Sequence, residues 1–360
     1  MKPLTPYIII YKDQIHKNLN NFCNKLKFKT EEIFYPVKVN HNPEVINLLN
    51  KAKCRFEAAS INEIKLLLNC GINPSEILYG NPVKSKHDII TANNLGINHF
   101  VADSFKEIEK LSCFAPNSRI IFRIEVSNEG ASWKLTEKFG CSDAEVILIF
   151  EEATNKNLNP LGFSFHVGWN NKSTFNWEKV MLHAEDLRIK LSKSGRKIEI
   201  IDIGGGFPGH DENSEIYFED ISKKILPYLN HWRNLGIKVI TEPGSYLIAN
   251  AGILYSTVIE KIKRKEKYWI FLDTGIFQGF YWILGGLKYR IKNESKGNPG
   301  ELAEYVITGP TCDSFDIFAK NAFLPTQTNV GDIISISPAG AYIQSAKNYN
   351  GFEYPPEIVR

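Results

Sequence analysis

Between about residues 30 and 245, short runs of β-branched and aromatic residues alternate with longer stretches of helical periodicity. Eight runs read as strands: 33–39, 55–58, 77–79, 99–102, 119–126, 162–167, 199–203 and 238–241. Strands that alternate with helices argue for a parallel α/β sheet, and eight of them for a (β/α)8 barrel. Helix starts keep the same register. Ser60-x-x-Glu63, Ser104-x-x-Glu107 and Ser142-x-x-Glu145 are capping-box patterns, and Ser85-x-x-Asp88 is a near relative.

After residue 252 the texture changes. Runs 255–258, 268–272, 305–308 and 332–335 read as strands separated by glycine, proline and charged turns, with little helical periodicity. This predicts a separate C-terminal all-β domain, with run 7–11 as an extra strand that completes it. The expected division is a barrel over 13–250 and a β domain formed by 1–12 and 251–360. Segments 261–267 and 292–301 are polar enough to be surface turns.

Bulk properties narrow the function classes. A chain of 360 residues is long enough for a large barrel and a smaller domain. Its 43% hydrophobic and 23% charged residues are ordinary for a soluble globular enzyme. The net charge of +3 is spread without a long basic run, and no reading motif is present, so no nucleic-acid partner is expected. No stretch approaches the ~20 apolar residues that span a bilayer, so no membrane role is expected. Ile8-Ile9-Ile10, between Tyr7 and Tyr11-Lys12, reads as a strand and not as a leader. Six cysteines, at 23, 54, 70, 113, 141 and 312, show no Cys-x-x-Cys and no histidine at metal spacing. No metal site is expected, and a reducing cytoplasm suits the chain.

Functional groups of such barrels gather at the C-terminal ends of the strands. Lys38, Glu57, His166, Gly204-Gly205-Gly206 and Glu242 fall at the ends of runs one, two, six, seven and eight. Two further motifs follow, Gly309-Pro310-Thr311-Cys312-Asp313-Ser314 and Gly340-Ala341-Tyr342. Each residue has a duller reading: Lys38 as a solvated lysine, His166 as a satisfied core histidine, the glycines as a tight βα turn, Cys312 as a core filler. The dull readings lose because all would have to coincide in this order. A lysine amine, a flat aromatic base, a glycine run, a carboxylate and a thiol are the parts that hold and use pyridoxal 5'-phosphate. A carboxylate such as Glu242 keeps a ring nitrogen protonated, which makes the cofactor the stronger electron sink. Glycines let backbone N–H groups approach an anion, and a thiol such as Cys312 can return a proton to a carbanion.

In the order and spacing of these motifs, from 34 to 352, the chain resembles the fold-type III pyridoxal-phosphate decarboxylases, the ornithine, lysine and diaminopimelate decarboxylase group. The resemblance implies that Lys38 is the Schiff-base lysine and that His166 stacks on the cofactor ring. It implies that Gly204, Gly205 and Gly206 hold the phosphate with help from Tyr342, and that Glu242 pairs with the pyridinium nitrogen. Reaction would pass through a quinonoid. Cys312 and Asp313 would reach into the partner's site of a head-to-tail homodimer, with Asp313 binding substrate.

Three positions depart from the family pattern. Ser245 stands where arginine commonly follows Glu-Pro-Gly, Trp169 where ornithine decarboxylases have serine, and Gly286 where they carry an aspartate for the distal amine. A buried ammonium with fewer counter-charges binds poorly. The expected substrate is therefore an ornithine- or lysine-type amino acid or its N-acylated derivative, in siderophore or polyamine biosynthesis. The alternative is a catalytically silent, ornithine-decarboxylase-like regulatory binding protein.

Overall fold

The computed structural model describes residues 4–134, 137–210, 213–296, 300–345 and 349–360. Strand β1 (Tyr7–Ile10) is followed by eight parallel strands: β2 (Phe34–Pro36), β3 (Arg55–Ala58), β4 (Ile77–Tyr79), β5 (His99–Ala102), β6 (Arg119–Arg123), β7 (Asn159–Ser164), β8 (Ile200–Asp202) and β9 (Lys238–Ile240). Each of the eight pairs with the next in chain order. An Ile33–Thr241 bridge joins the last to the first, where the Phe34 N–H donates to the Thr241 carbonyl at 2.8 Å. The sheet thus closes into a barrel and leaves no edge. Phe34, Leu78, Val101, Ile121, Leu161, Ile200 and Ile240 fill its interior as one buried apolar cluster.

Strands end earlier than the apolar runs suggest, and the difference matters for the site. The first run was expected to carry Lys38 at its end, but β2 stops at Pro36, and Val37–Val39 form a 3-10 turn. Pro36 has no N–H to extend the ladder, so the chain turns out of the sheet there. All four predicted helix starts are observed caps. Ser60, Ser85, Ser104 and Ser142 hydroxyls accept from the amides of Glu63, Asp88, Glu107 and Glu145. Glu145 completes the box by accepting from the Ser142 amide at 2.9 Å. Glu107 instead turns inward to a buried lysine: Lys84 Nζ lies 2.9 Å from Glu107 Oε1, and Lys110 Nζ 2.6 Å from Oε2. Lys84 also donates to the Val101 carbonyl at 2.7 Å, which ties the loop after β4 to β5.

By internal contacts the chain divides into two units, Lys17–Leu247 with the barrel, and Met1–His16 with Ile248–Arg360. In the second unit lie β10 (Gly252–Arg264), β11 (Lys267–Leu272), β12 (Arg290–Asn293), β13 (Leu302–Thr308), β14 (Ile317–Pro325), β15 (Ile333–Ser337) and β16 (Glu357–Val359). They form a sheet in the order β12-β15-β10-β11-β13-β14, and β1 joins it between β10 and β16. The N-terminal strand therefore completes the β domain. Segment 261–267 is not merely a turn: β10 and β11 pair down to Arg264 and Lys267, leaving two residues, with Lys265 in the left-handed region. The strands β12, β14 and β16 had no clear counterpart in the pattern. Their exposed polar positions, such as Lys320 and Asn321, hide the alternation.

Burial first, and then the Lys110 cation, draw the Lys84 ammonium down to about 8, with Glu107 as the main opposing influence. Glu107→Ala should lower stability by about 3–5 kcal/mol in chemical denaturation, because it leaves a buried charge unpaired. Double replacement by Lys84→Met with Glu107→Leu should recover most of that loss.

Candidate active site

The turn that follows Pro36 presents Lys38 to the third residue of β3. Lys38 Nζ donates to Glu57 Oε2 at 2.7 Å. The carboxylate is buried while the lysine side chain, at the barrel mouth, keeps 42% of its surface exposed. Glycine at 80, directly after β4, is what admits this pair: a Cβ there would overlap Glu57 Oε1.

His166 lies two residues beyond β7. Its Nδ1 accepts the Gly168 amide at 3.0 Å, so a neutral ring carries its proton on Nε2. Burial first, then the Arg123 and Lys38 cations, push its pKa from 6.5 to about 3. The imidazole is a flat neutral base at any physiological pH.

Past β8 the chain makes the glycine turn. Gly204 and Gly206 have φ of +63° and +97°, a region that glycine enters without strain. Side chains there would collide with the Phe165 and Gly168 carbonyls. The Gly204 amide donates to Asp202 Oδ1 at 2.8 Å. The Gly205 and Gly206 amides find no acceptor among the described residues. Two adjacent unengaged N–H groups form a cradle suited to an anion.

Glu242 closes the mouth from the turn after β9, where its amide holds the Gly204 carbonyl at 2.8 Å. Its carboxyl is raised well above the ordinary range by burial, then by Asp202 and Glu57. Asp202 is fully buried and raised from 3.8 to about 6, again by burial first. Asp202 Oδ2 has no donor among the described groups unless the Asp202–Glu242 pair holds a proton. A cationic ring nitrogen set against Glu242 would meet this negative pair.

Two of the departures touch each other. Trp169 Nε1 donates to Ser245 Oγ at 2.9 Å, and the indole packs edge-on against His210 with centroids 4.7 Å apart. A serine that accepts from tryptophan still has its own hydroxyl proton to offer.

The remaining predicted residues belong to the second unit. Cys312 is exposed, and Asn350 Nδ2 lies 3.5 Å from its sulfur. Asp313 Oδ2 accepts the Tyr349 phenol at 2.6 Å, and Oδ1 the Phe315 amide at 2.8 Å. These donors, the phenol foremost, hold the Asp313 carboxyl below its usual range. The loop is anchored by buried Asp316, which accepts from Ile276 N at 2.8 Å and Thr311 Oγ1 at 2.6 Å. Tyr342 adopts a left-handed φ of +60°, with Trp282 Nε1 3.4 Å from its carbonyl. Around Gly286 a Cβ would meet nothing within 4 Å. Asp202, Arg123, Asp316 and Tyr349 carry no role in the motif reading. Only Asp202 and Arg123, acid and base at barrel strand ends, had a signal that could have found them.

A barrel mouth with an exposed amine, an anion cradle and a proton-sharing carboxyl pair suits the class of pyridoxal-phosphate barrel enzymes. The model of the pyridoxal-binding domain of pyridoxal-dependent decarboxylases matches residues 12–249, and the chain belongs to that family. A lysine/ornithine decarboxylase of Selenomonas ruminantium is 30% identical over 365 residues, covering 99% of this chain and 89% of that protein. A mutant of the lysine decarboxylase SrLDC, crystallised with PLP, superposes with a TM-score of 0.90 at 30% identity, covering 99% of this chain and 92% of its own. Antizyme inhibitor 2 of Xenopus laevis is 30% identical over 340 residues, covering 90% of this chain and 74% of that protein. The chain is a pyridoxal-phosphate-dependent amino-acid decarboxylase. No described helix is long and apolar enough to cross a membrane.

Because the folded pair holds a proton that the unfolded chain releases, it makes folding less favourable as pH rises from 3.8 to about 6. Asp202→Asn should flatten this part of the stability profile in urea denaturation of the cofactor-free protein. It should also lower the Glu242 pKa, read from the carboxyl 13C shift.

Proposed function

We propose that this chain decarboxylates an ornithine- or lysine-type amino acid, or its N-acylated derivative, with Lys38 as the residue that anchors the cofactor. The convergence of Lys38, neutral His166, the unengaged Gly205 and Gly206 amides and Glu242 on one barrel mouth carries the reading. Pyridoxal phosphate, when bound, supplies the sink for electrons left at Cα by departing carbon dioxide. Gly204, Gly205, Gly206 and the Ser245 hydroxyl hold its phosphate, with Tyr342 as a further contact. His166 offers its uncharged ring face, and Glu242 keeps the ring nitrogen protonated. Cys312 returns the proton to Cα.

The open space at Gly286 and the single acid Asp313 support a substrate whose distal amine is acylated or replaced, as in siderophore assembly. Relatives named for lysine and ornithine support the free diamine acids of polyamine synthesis instead. Asp313 is ionised, half-buried and holds two donors, which leaves lone pairs for one ammonium. Carbon dioxide release from ornithine, lysine and their N-acyl derivatives decides between them. Turnover confined to the free amino acids would exclude the acylated substrate. Lys38→Ala should abolish both turnover and the visible absorbance of the bound cofactor. The likeness to antizyme inhibitor 2 and the changes at Trp169 and Ser245 support the regulatory reading. A wild-type protein that stays colourless with added cofactor would favour it.

Two copies of the chain, acting in the cytoplasm, share their sites head to tail, with Cys312 and Asp313 serving the partner. Mixing inactive Lys38→Ala and Cys312→Ala proteins should then restore about a quarter of wild-type activity, because half the dimers are mixed and each regains one intact site. No recovery after subunit exchange would sink the shared site.

A further inference from the structure

The opposite end of the barrel gathers positive charge for which the decarboxylase chemistry has no use. Arg55, His99, Arg119 and Lys238 are the first residues of β3, β5, β6 and β9. Val101, Ile121 and Ile240, two positions beyond the last three, belong to the interior layer. Strand alternation therefore turns His99, Arg119 and Lys238 to the same inner side. Arg55 pairs in register with Phe34 of that layer, and its guanidinium lies over the Phe34 ring, 5.8 Å from the centroid. His99 and Arg119 are direct partners across β5 and β6. Four bases thus converge on the barrel floor beneath an apolar lid.

Nothing among the described residues neutralises them at short range. Arg55, Arg119 and Lys238 form no ion pair and no side-chain hydrogen bond there. Glu31 and Glu32 attract Lys238 from the rim, and Glu32 is tied to the Lys29 amide at 2.8 Å. His99 is only 6% exposed, yet its Nε2 has no hydrogen-bond partner. Burial, then Arg119, Arg55 and Lys238, hold that ring down to about 4, so it is neutral and has an N–H to donate. A buried polar nitrogen without a partner beside three cations is expensive unless an anion completes it.

We propose that the barrel floor is a second anion site, separate from the cofactor cradle, which binds a small phosphate-class dianion, either inorganic phosphate or a phosphomonoester. The three cations outnumber any monovalent ion, and guanidinium forks match tetrahedral oxyanions. The buried layer that includes Phe34, Leu78 and Val101 closes the floor from above, so any organic remainder would point outward.

The test uses the cofactor-loaded protein in phosphate-free buffer, so that the glycine cradle is already filled. Titration calorimetry with inorganic phosphate should show one saturable site per chain, and the same titration should shift the 15N signal of His99 Nε2. Arg55→Gln and Arg119→Gln should each weaken binding about tenfold or more, the loss of a charge-assisted hydrogen bond. Should either fail to fold, Lys238→Gln carries the same expectation. Tighter binding of glycerol 3-phosphate than of phosphate assigns the site to an organic phosphate, and the reverse order to the free ion. No saturable heat, or binding that persists undiminished in Arg55→Gln with Arg119→Gln, overturns the proposal. Decarboxylase activity is not the readout, so a failed substrate assignment leaves this result intact.

Discussion

The barrel mouth is organised around a shortage of positive charge. Glu57, Asp202 and Glu242 are brought close together with Lys38 and Arg123 as the cations that act on them. Desolvation favours protons on such carboxyls, and mutual repulsion adds to it. Lys38 relieves Glu57 directly, whereas Asp202 and Glu242 are left to share a proton. Burial first, and then the Arg123 and Lys38 cations, keep the neighbouring His166 uncharged. One electrostatic arrangement thus yields a paired lysine, a neutral flat base and a carboxyl pair ready for a cation.

Barrel closure is what makes that arrangement possible. The Phe34–Thr241 ladder joins strands more than two hundred residues apart, so that turns from β2, β3, β7, β8 and β9 share one rim. Small residues then admit the functional groups: Gly80 for Glu57, Gly204 and Gly206 for the cradle. Two positions expected to depart from the family pattern are coupled in this chain. Trp169 and Ser245 lie 76 positions apart and are hydrogen-bonded.

Much of this was readable in the chain because the signals are local. Alternation marked all eight barrel strands, and serine three positions before an acid marked four helix starts, each a real cap. The chemistry-bearing residues stood at strand ends, where a barrel places its site. Local signals also misled. Pro36 ends β2 before Lys38, and the polar arms around residues 261–267 belong to a hairpin, because exposed ribbon positions carry no hydrophobic period.

Sequence by itself determined the order of the barrel elements and the family, since these depend on residue type and short-range spacing. Only the tertiary structure decided which groups meet. Glu107 leaves its helix cap to neutralise Lys84, Asp202 couples to Glu242, Trp169 holds Ser245, and four strand-initial bases crowd the barrel floor. The physical reason is common to all four. Each is a long-range interaction between charged or polar groups whose strength is set by burial, and burial exists only once the chain has folded.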